Sequence, residues 1–437
     1  MSDKCPLNVC CSQYGFCGTT SDFCGNNIVK SPSCGGTSSN QRTIGYYEGW
    51  SVDRNCDTVP PESIPVGAYT HLNFAFASID PSSFVVTPTG PDQIDLYKRT
   101  TALKQQDPSL KVWISVGGWS MNDPNETTFH TFSNLVASKG DQTAFVNSLT
   151  SFMQKYGFDG VDIDWEYPVA SERGGSTADL VNYVTFLQNL RQALNASGQY
   201  GLSITLPASY YYLQHFDIIN ISKTIDWFNV MTYDLHGTWD NATFNPSSGN
   251  NNIVQAHTNL TEIDQTLQLL WRNNIAPQQV NLGLGFYGRT FTLSDPSSCT
   301  AAGCPFSGPG KAGPCTNTAG TLSYTEIERV VSAGGDVSVD RDAAVEQVVW
   351  EGDQWASYDD ADTFAMKIDY ANQHCLGGTM VWAVSLDARG TAASALERST
   401  GRRAAIVQGD KGVASRAQAQ TQTQTSGGRS LKAPRLL

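Results

Sequence analysis

Phe158-Asp-Gly-Val-Asp-Ile-Asp-Trp-Glu-Tyr-Pro168 places Asp159, Asp162, Asp164 and Glu166 within eight residues. Side chains alternate along a strand, so Asp162, Asp164 and Glu166 share one face, and Val161, Ile163 and Trp165 share the other. The apolar face suits packing against covering helices, which turns the acidic face toward the interior of a closed sheet. Three like charges on a buried strand are costly unless they share protons or partners. Their crowding is expected to raise the last proton's pKa, as a general acid near neutral pH requires. A solvated acidic face on an edge strand is the alternative. The flanking runs read as fully buried and argue against it.

Seven further apolar runs flank this one. They are Ile44–Tyr47, His71–Ala77, Val112–Val116, Ser203–Leu206, Phe228–Tyr233, Val280–Phe286 and Gly378–Val384, with Gly160–Asp164 as the fourth in order. Longer helical stretches alternate with them, the pattern of a parallel α/β fold. Eight such strands predict a (β/α)8 TIM barrel with its site at the strands' C-terminal ends. The gap before the last strand is too long for one helix. Residues of about 292–360 hold Cys299, Cys304, Cys315 and several Gly and Pro, and are expected to form an α+β insertion between strands 7 and 8. The barrel is assigned to 43–398. It is preceded by a small disulfide-rich N-terminal module at 1–35 and a polar linker at 36–42. A tail at 399–437, with a Gln/Thr run and no periodicity, is expected to be disordered.

The formal net charge of -13 disfavours nucleic acid and anionic membrane as partners, because phosphate binding relies on Lys and Arg. A neutral polymer remains compatible. No apolar run approaches the roughly 20 residues of a membrane helix. Six of the 11 cysteines lie within the first 34 residues. That density reads as a disulfide framework and an oxidising compartment. Zinc is the competing reading, but no His lies near and the adjacent Cys10-Cys11 pair suits disulfides better. Sequons at Asn125, Asn195, Asn220, Asn259 and Asn241 support secretion by their number. Met1-Ser-Asp-Lys-Cys5 has no apolar signal-peptide core, so the true N-terminus is expected to lie upstream.

The carboxylate strand resembles the glycoside hydrolase family 18 motif Asp-x-x-Asp-x-Asp-x-Glu, matched at Asp159, Asp162, Asp164 and Glu166. The resemblance extends to Ser115-Val-Gly-Gly-Trp-Ser120, Met231-Thr-Tyr-Asp-Leu-His-Gly-Thr-Trp239, Phe286-Tyr-Gly-Arg289 and Gly377-Gly-Thr-Met-Val-Trp382. Gly45-Tyr-Tyr-Glu-Gly-Trp50 is similar to the killer-toxin-like fungal branch. The resemblance implies a chitinase using substrate-assisted retaining catalysis, an exception to the two-carboxylate scheme. Glu166 would act as general acid and then base. Asp164 would hold the acetamido N–H, Asp162 would share its proton, and Tyr233 would bond the acetamido oxygen. Asp159 falls off the alternating face and reads as structural. Trp382 would floor the cleavage point, with Trp119 and Trp239 stacking on flanking sugars. Tyr46, Phe76, Met231, Asp234, Tyr287 and Arg289 would complete the cleft. Ser115, Gly117 and Gly118 read as structural. The insertion would wall one side of the cleft.

Cys10-Cys-Ser-Gln-Tyr-Gly-Phe-Cys-Gly18 followed by Asp22-Phe-Cys24 resembles the hevein-type chitin-binding module. The resemblance implies a sugar platform of Ser12, Tyr14, Phe16 and Phe23, and disulfides Cys5–Cys17 and Cys10–Cys24. The module is incomplete: that family has eight cysteines where this segment has six. Cys11 lacks its usual partner, and Cys34 has no assignment.

Two other activities remain open in the sequence: an endo-β-N-acetylglucosaminidase acting on N-glycans, and a chitin-binding lectin on an inactive barrel. Glu166 argues against the lectin. The module and insertion favour polymer over N-glycan. No cofactor or metal is expected, and His236 reads as structural. The expected protein is a secreted, extracellular monomer whose partners are chitin and chitooligosaccharides.

Overall fold

Val, Ile and aromatic residues recur through the eight predicted runs, and a strand covered on both faces accepts such largely apolar sequence. In the computed structural model, which describes residues 5–27, 29–198, 200–240 and 252–401, all eight form strands. They are β1 (Arg42–Glu48), β2 (His71–Ile79), β3 (Lys111–Gly117), β4 (Gly160–Asp164), β5 (Gly201–Pro207), β6 (Trp227–Met231), β7 (Val280–Gly285) and β8 (Gly378–Trp382). Each pairs in parallel with the next, and β8 pairs with β1 to close the barrel.

Helices α1 (Gln93–Ala102), α2 (Lys139–Tyr156), α3 (Asp179–Ser197), α4 (Leu260–Arg272), α5 (Ala361–Gln373) and α6 (Thr391–Thr400) cover the barrel. Only short helical turns connect β1 to β2 and β5 to β6, where longer helices were expected. Strand β6 stops at Met231, two residues early, because the chain turns through Asp234 at φ 58°. Trp113 and Trp227 stack at 4.6 Å, with His71 edge-on to both. All three sit at or near the strands' first residues and fill the end of the barrel away from the site.

The inserted sheet begins at Tyr287, directly after β7 and ahead of the expected residue 292. Its antiparallel strands are Tyr287–Leu293, Phe306–Pro309, Thr321–Ser323, Asp336–Asp340, Val345–Trp350 and Gln354–Tyr358, with one helix at Tyr324–Ser332. Ser323 and Glu326 form a reciprocal capping box that starts this helix. Cys56–Cys315 ties the insertion to the loop after β1, and Cys299–Cys304 closes a short loop within it.

The N-terminal module is a small ribbon, Cys10–Cys11 against Cys17–Gly18, held by Cys5–Cys17 and Cys10–Cys24. Cys11 is free and exposed. The module lies along α4. Leu7 and Val9 join the barrel's apolar cluster, and the Asn8 amide donates to Asn273 Oδ1 at 2.9 Å. The polar linker is strapped down as well. Cys34 bonds Cys375, and both the amide and the hydroxyl of Ser39 donate to Asn372 Oδ1. The expected disordered tail lies outside the described residues from 402 onward, while α6 continues to Thr400.

Candidate active site

Every residue of β4 is buried, so its acidic face depends on partners inside the barrel. Asp162 receives four. Tyr46 (2.8 Å) and Ser115 (2.8 Å) donate hydroxyls to Oδ2, and Ser203 (2.6 Å) and Asn229 (3.1 Å) donate to Oδ1. These donors come from β1, β3, β5 and β6, a full ring around one carboxylate. Asp164 receives the Thr205 hydroxyl at 2.6 Å. Burial raises the pKa of both. Four hydrogen bonds pull Asp162 back, whereas Glu166 and Asp162 push Asp164 further up. Of the two, Asp164 is the one whose surroundings favour the protonated form more strongly.

Glu166 is buried just beyond the strand, and its pKa is pushed up to about 7. The largest cause is burial. Asp234 and Asp123, which lie off β4, add to the rise, while Tyr167 and Arg173 oppose it; the crowding along the strand expected from the sequence acts on Asp164. Asp159 lies at the opposite end of β4. There it accepts the Val112 amide at 2.8 Å and pairs with Lys104, outside the site.

Gly117 and Gly118 let β3 approach this strand. A Cβ on Gly117, at φ +119°, would lie 2.0 Å from the Asp164 carbonyl oxygen, and one on Gly118 would lie 2.5 Å from the Phe76 ring. Phe76 stacks on Trp382 (5.7 Å, 23°) and on Trp50 (6.0 Å, 24°), forming an aromatic floor. Tyr46 was expected to line the pocket. It is instead 1% exposed beneath Trp382, with its hydroxyl committed to Asp162. Tyr233 is buried, and burial lifts its pKa well above the ordinary value, so it stays a neutral donor. Met231 is half-buried at the end of β6.

Asp234 accepts the Tyr287 hydroxyl at 2.6 Å and a forked pair from Arg289 at 2.7 and 2.6 Å. Burial raises its pKa, but the Arg289 charge and bonds from His257 and Arg289 outweigh that and hold it well below the carboxylate range. Tyr287 and Arg289 lie on the first inserted strand, so this cluster joins the insertion to the loop after β6. The Arg289 guanidinium also lies 4.9 Å over Trp239, whose ring is 40% exposed. Trp119 is 49% exposed at the end of β3. His236 bridges Asp240 (2.7 Å) and Glu262 (3.0 Å). Burial lowers its pKa, but the two carboxylates overcome this and lift it to about 9.

In the module, Tyr14 and Phe16 are 77% and 68% exposed, and their amides donate to the Ser12 hydroxyl. Phe23 is half-buried. Its ring sits against Gly18, where a Cβ would meet it at 2.5 Å.

Residues 42–387 match the family described as glycosyl hydrolases family 18, and residues 1–34 match the chitin recognition protein family. The chain belongs to glycoside hydrolase family 18. A secreted chitinase (LysM12) of Penicillium expansum is 29% identical over 420 residues, covering 88% of this chain and 27% of the relative. The killer toxin subunits alpha/beta of Kluyveromyces lactis are 32% identical, covering 87% and 33%. This chain thus spans a third or less of the length of these curated relatives. The solved Group IV chitinase of Ostrinia furnacalis in complex with allosamidin superposes with a TM-score of 0.73 at 27% identity, covering 84% of this chain and 99% of that one.

Several functional neighbours escape sequence reasoning. Ser203, Thr205 and Asn229 are ordinary strand residues until the barrel closes around Asp162 and Asp164. Trp50 was visible as the last residue of an opening motif, but nothing assigned it to the floor. Arg173 and Tyr167 follow the acid in a loop whose path the sequence does not give. His257, fully buried against Tyr287 and Asp234, stands in no motif.

Proposed function

We propose that this protein hydrolyses β-1,4 bonds between N-acetylglucosamine units of chitin by substrate-assisted retaining catalysis. One observation carries the reading: Glu166 is buried at the end of β4 with its proton held to about pH 7, beside the Asp162–Asp164 pair and an aromatic floor. An acid protonated near neutrality can protonate a glycosidic oxygen. The substrate's 2-acetamido oxygen attacks the anomeric carbon as the leaving oxygen takes the Glu166 proton, forming an oxazolinium ion. Asp164 passes its proton toward Asp162 as the Ser115 or Ser203 hydroxyl turns, leaving a carboxylate for the acetamido N–H. Tyr233 donates to the acetamido oxygen. Glu166, now a base, takes a proton from water as that water opens the ring. Trp382 floors the sugar at the cleavage point, and Trp119 and Trp239 flank it.

The Tyr14–Phe16 platform supports anchoring on chitin. The relative named as secreted, the sequons and the disulfides support an extracellular glycoprotein. No helix among the described residues is long and apolar enough to cross a membrane. The test is time-resolved product analysis on chitin. Wild type should release N-acetylglucosamine oligomers, and Glu166→Gln should release almost none. Absence of oligomers from wild type refutes the activity. Near-wild-type rates in Glu166→Gln refute the assignment of the acid.

A further inference from the structure

The loop after β4 returns one cation to the site. Arg173 is 5% exposed, and three of its groups are committed. Its Nε donates to the Glu166 carbonyl oxygen at 3.0 Å, its Nη1 pairs with Asp123 at 2.8 Å, and its Nη2 donates to the Trp119 carbonyl. The guanidinium also lies 3.6 Å from the centre of the Trp119 ring. One face of that indole is therefore covered by a cation, while the residue as a whole remains 49% exposed. The loop presents the arginine in a fixed way. The Asn122 amide holds the Arg173 carbonyl at 3.1 Å, and the Asp179 carboxylate takes the Val169 and Ser176 amides. A Cβ on Gly174, at φ +77°, would lie 2.0 Å from the Phe129 carbonyl, so the turn after Arg173 is pressed against its neighbour.

We propose that Arg173 is a positioning residue that clamps the Trp119 sugar platform to the backbone of the catalytic acid. A planar guanidinium can stack on an indole and donate sideways to two carbonyls at once, which an ammonium cannot. The clamp makes platform and acid one rigid body, so a sugar stacked on Trp119 arrives at a set position relative to Glu166. This rests on the chitin-hydrolase reading.

The test measures binding of a chitin tetramer by calorimetry in a Glu166→Gln background, and kcat and KM on a soluble hexamer in the active enzyme. Arg173→Gln should weaken tetramer binding by about tenfold, the scale of a partly desolvated cation–π contact. Trp119→Ala should weaken it at least as much. The double variant should bind no more weakly than Trp119→Ala alone, since both changes break one contact. Arg173→Lys keeps the charge without the plane and should bind as weakly as Arg173→Gln. Arg173→Gln should also lower kcat, since it loses the bond to the Glu166 carbonyl, and that loss should persist without Trp119 because the bond is separate from the ring contact. Multiplicative losses in the double variant, or wild-type binding by Arg173→Lys, overturn the proposal. A parent that binds no tetramer refutes the chitin reading instead. The clamp is then decided by near-ultraviolet circular dichroism. Arg173→Gln should change the spectrum in wild type and not in a Trp119→Ala background, and an equal change in both overturns it.

Discussion

Replacing Glu166 by Gln should make the protein more stable in alkaline solution while abolishing its activity. The acid ionises near 7 in the fold, lifted chiefly by burial, against an ordinary value of 4.5. A carboxyl whose folded pKa is raised supports folding fully below its unfolded pKa and loses that contribution as pH rises through the folded one. Between pH 4.5 and 7 the unfolded chain releases this proton and the native protein keeps it. At pH 8 the ionised side chain therefore opposes folding by about 3 kcal/mol, at about 1.4 kcal/mol per tenfold. An amide of the same shape removes that opposition. With an unfolding entropy of roughly 2 cal/mol/K per residue over roughly 400 residues, the gain corresponds to about 4 °C in melting temperature. Calorimetry of the two proteins across pH 4 to 8 measures it. The gap should open with rising pH and vanish at pH 4, where both side chains are neutral. Equal melting temperatures at pH 8, or a gap that persists at pH 4, would show that burial is not what holds the proton. The same proton sets the rate: kcat/KM should fall about tenfold per pH unit above 7, because only protonated Glu166 can act as the acid.

Gly118→Ala should cut kcat by about 100-fold without unfolding the barrel, because its Cβ meets the Phe76 ring at 2.5 Å and shifts the floor beside Trp382; steady-state kinetics and far-ultraviolet circular dichroism check both halves. Lys367→Met should destabilise the fold by about 3–5 kcal/mol in denaturant titration, because Lys367 is fully buried against Asp359 and its loss leaves that carboxylate uncompensated. Replacing both Tyr14 and Phe16 by Ala should weaken retention on insoluble chitin by about tenfold, the scale of two exposed ring contacts, while hydrolysis of a soluble hexamer is unchanged.

The barrel was legible because a parallel strand buried on both faces has a local signature, and all eight such runs formed strands. The insertion showed itself as a gap too long for one helix. Its first strand did not, because Tyr287-Gly-Arg289 reads equally well as a continuation of β7. Contacts between distant segments left no local trace. Cys34 pairs with Cys375 across 341 residues, and no spacing in the first 34 residues could reveal that partner. The polar composition of the linker gave no sign of its burial, because polar residues usually face water, yet Ser39 is fully buried against Asn372. Like-charge crowding on β4 was correctly located, but it was assigned too large a share of the pKa rise. A one-dimensional pattern shows which charges are adjacent, and only the closed barrel shows how completely water is excluded from them.

Asp162 and Asp164 make the limit concrete. They are two residues apart, share a face and have the same side chain, so their sequence positions give them equal claims on a proton. The fold separates them through neutral partners. Asp162 sits where β1, β3, β5 and β6 each contribute a donor, which favours its charged form. Asp164 sits one layer nearer the cleft, with one donor and a carboxylate on either side, which favours its protonated form. The two environments thus differ in how strongly they favour a proton, the outer aspartate more than the inner one, which is what the proposed handling of an acetamido group by the pair needs. Small hydroxyls at Ser115 and Ser203 matter for the same reason. A hydroxyl can rotate out of a hydrogen bond without moving its backbone, so the charge can follow the reaction while the barrel stays still.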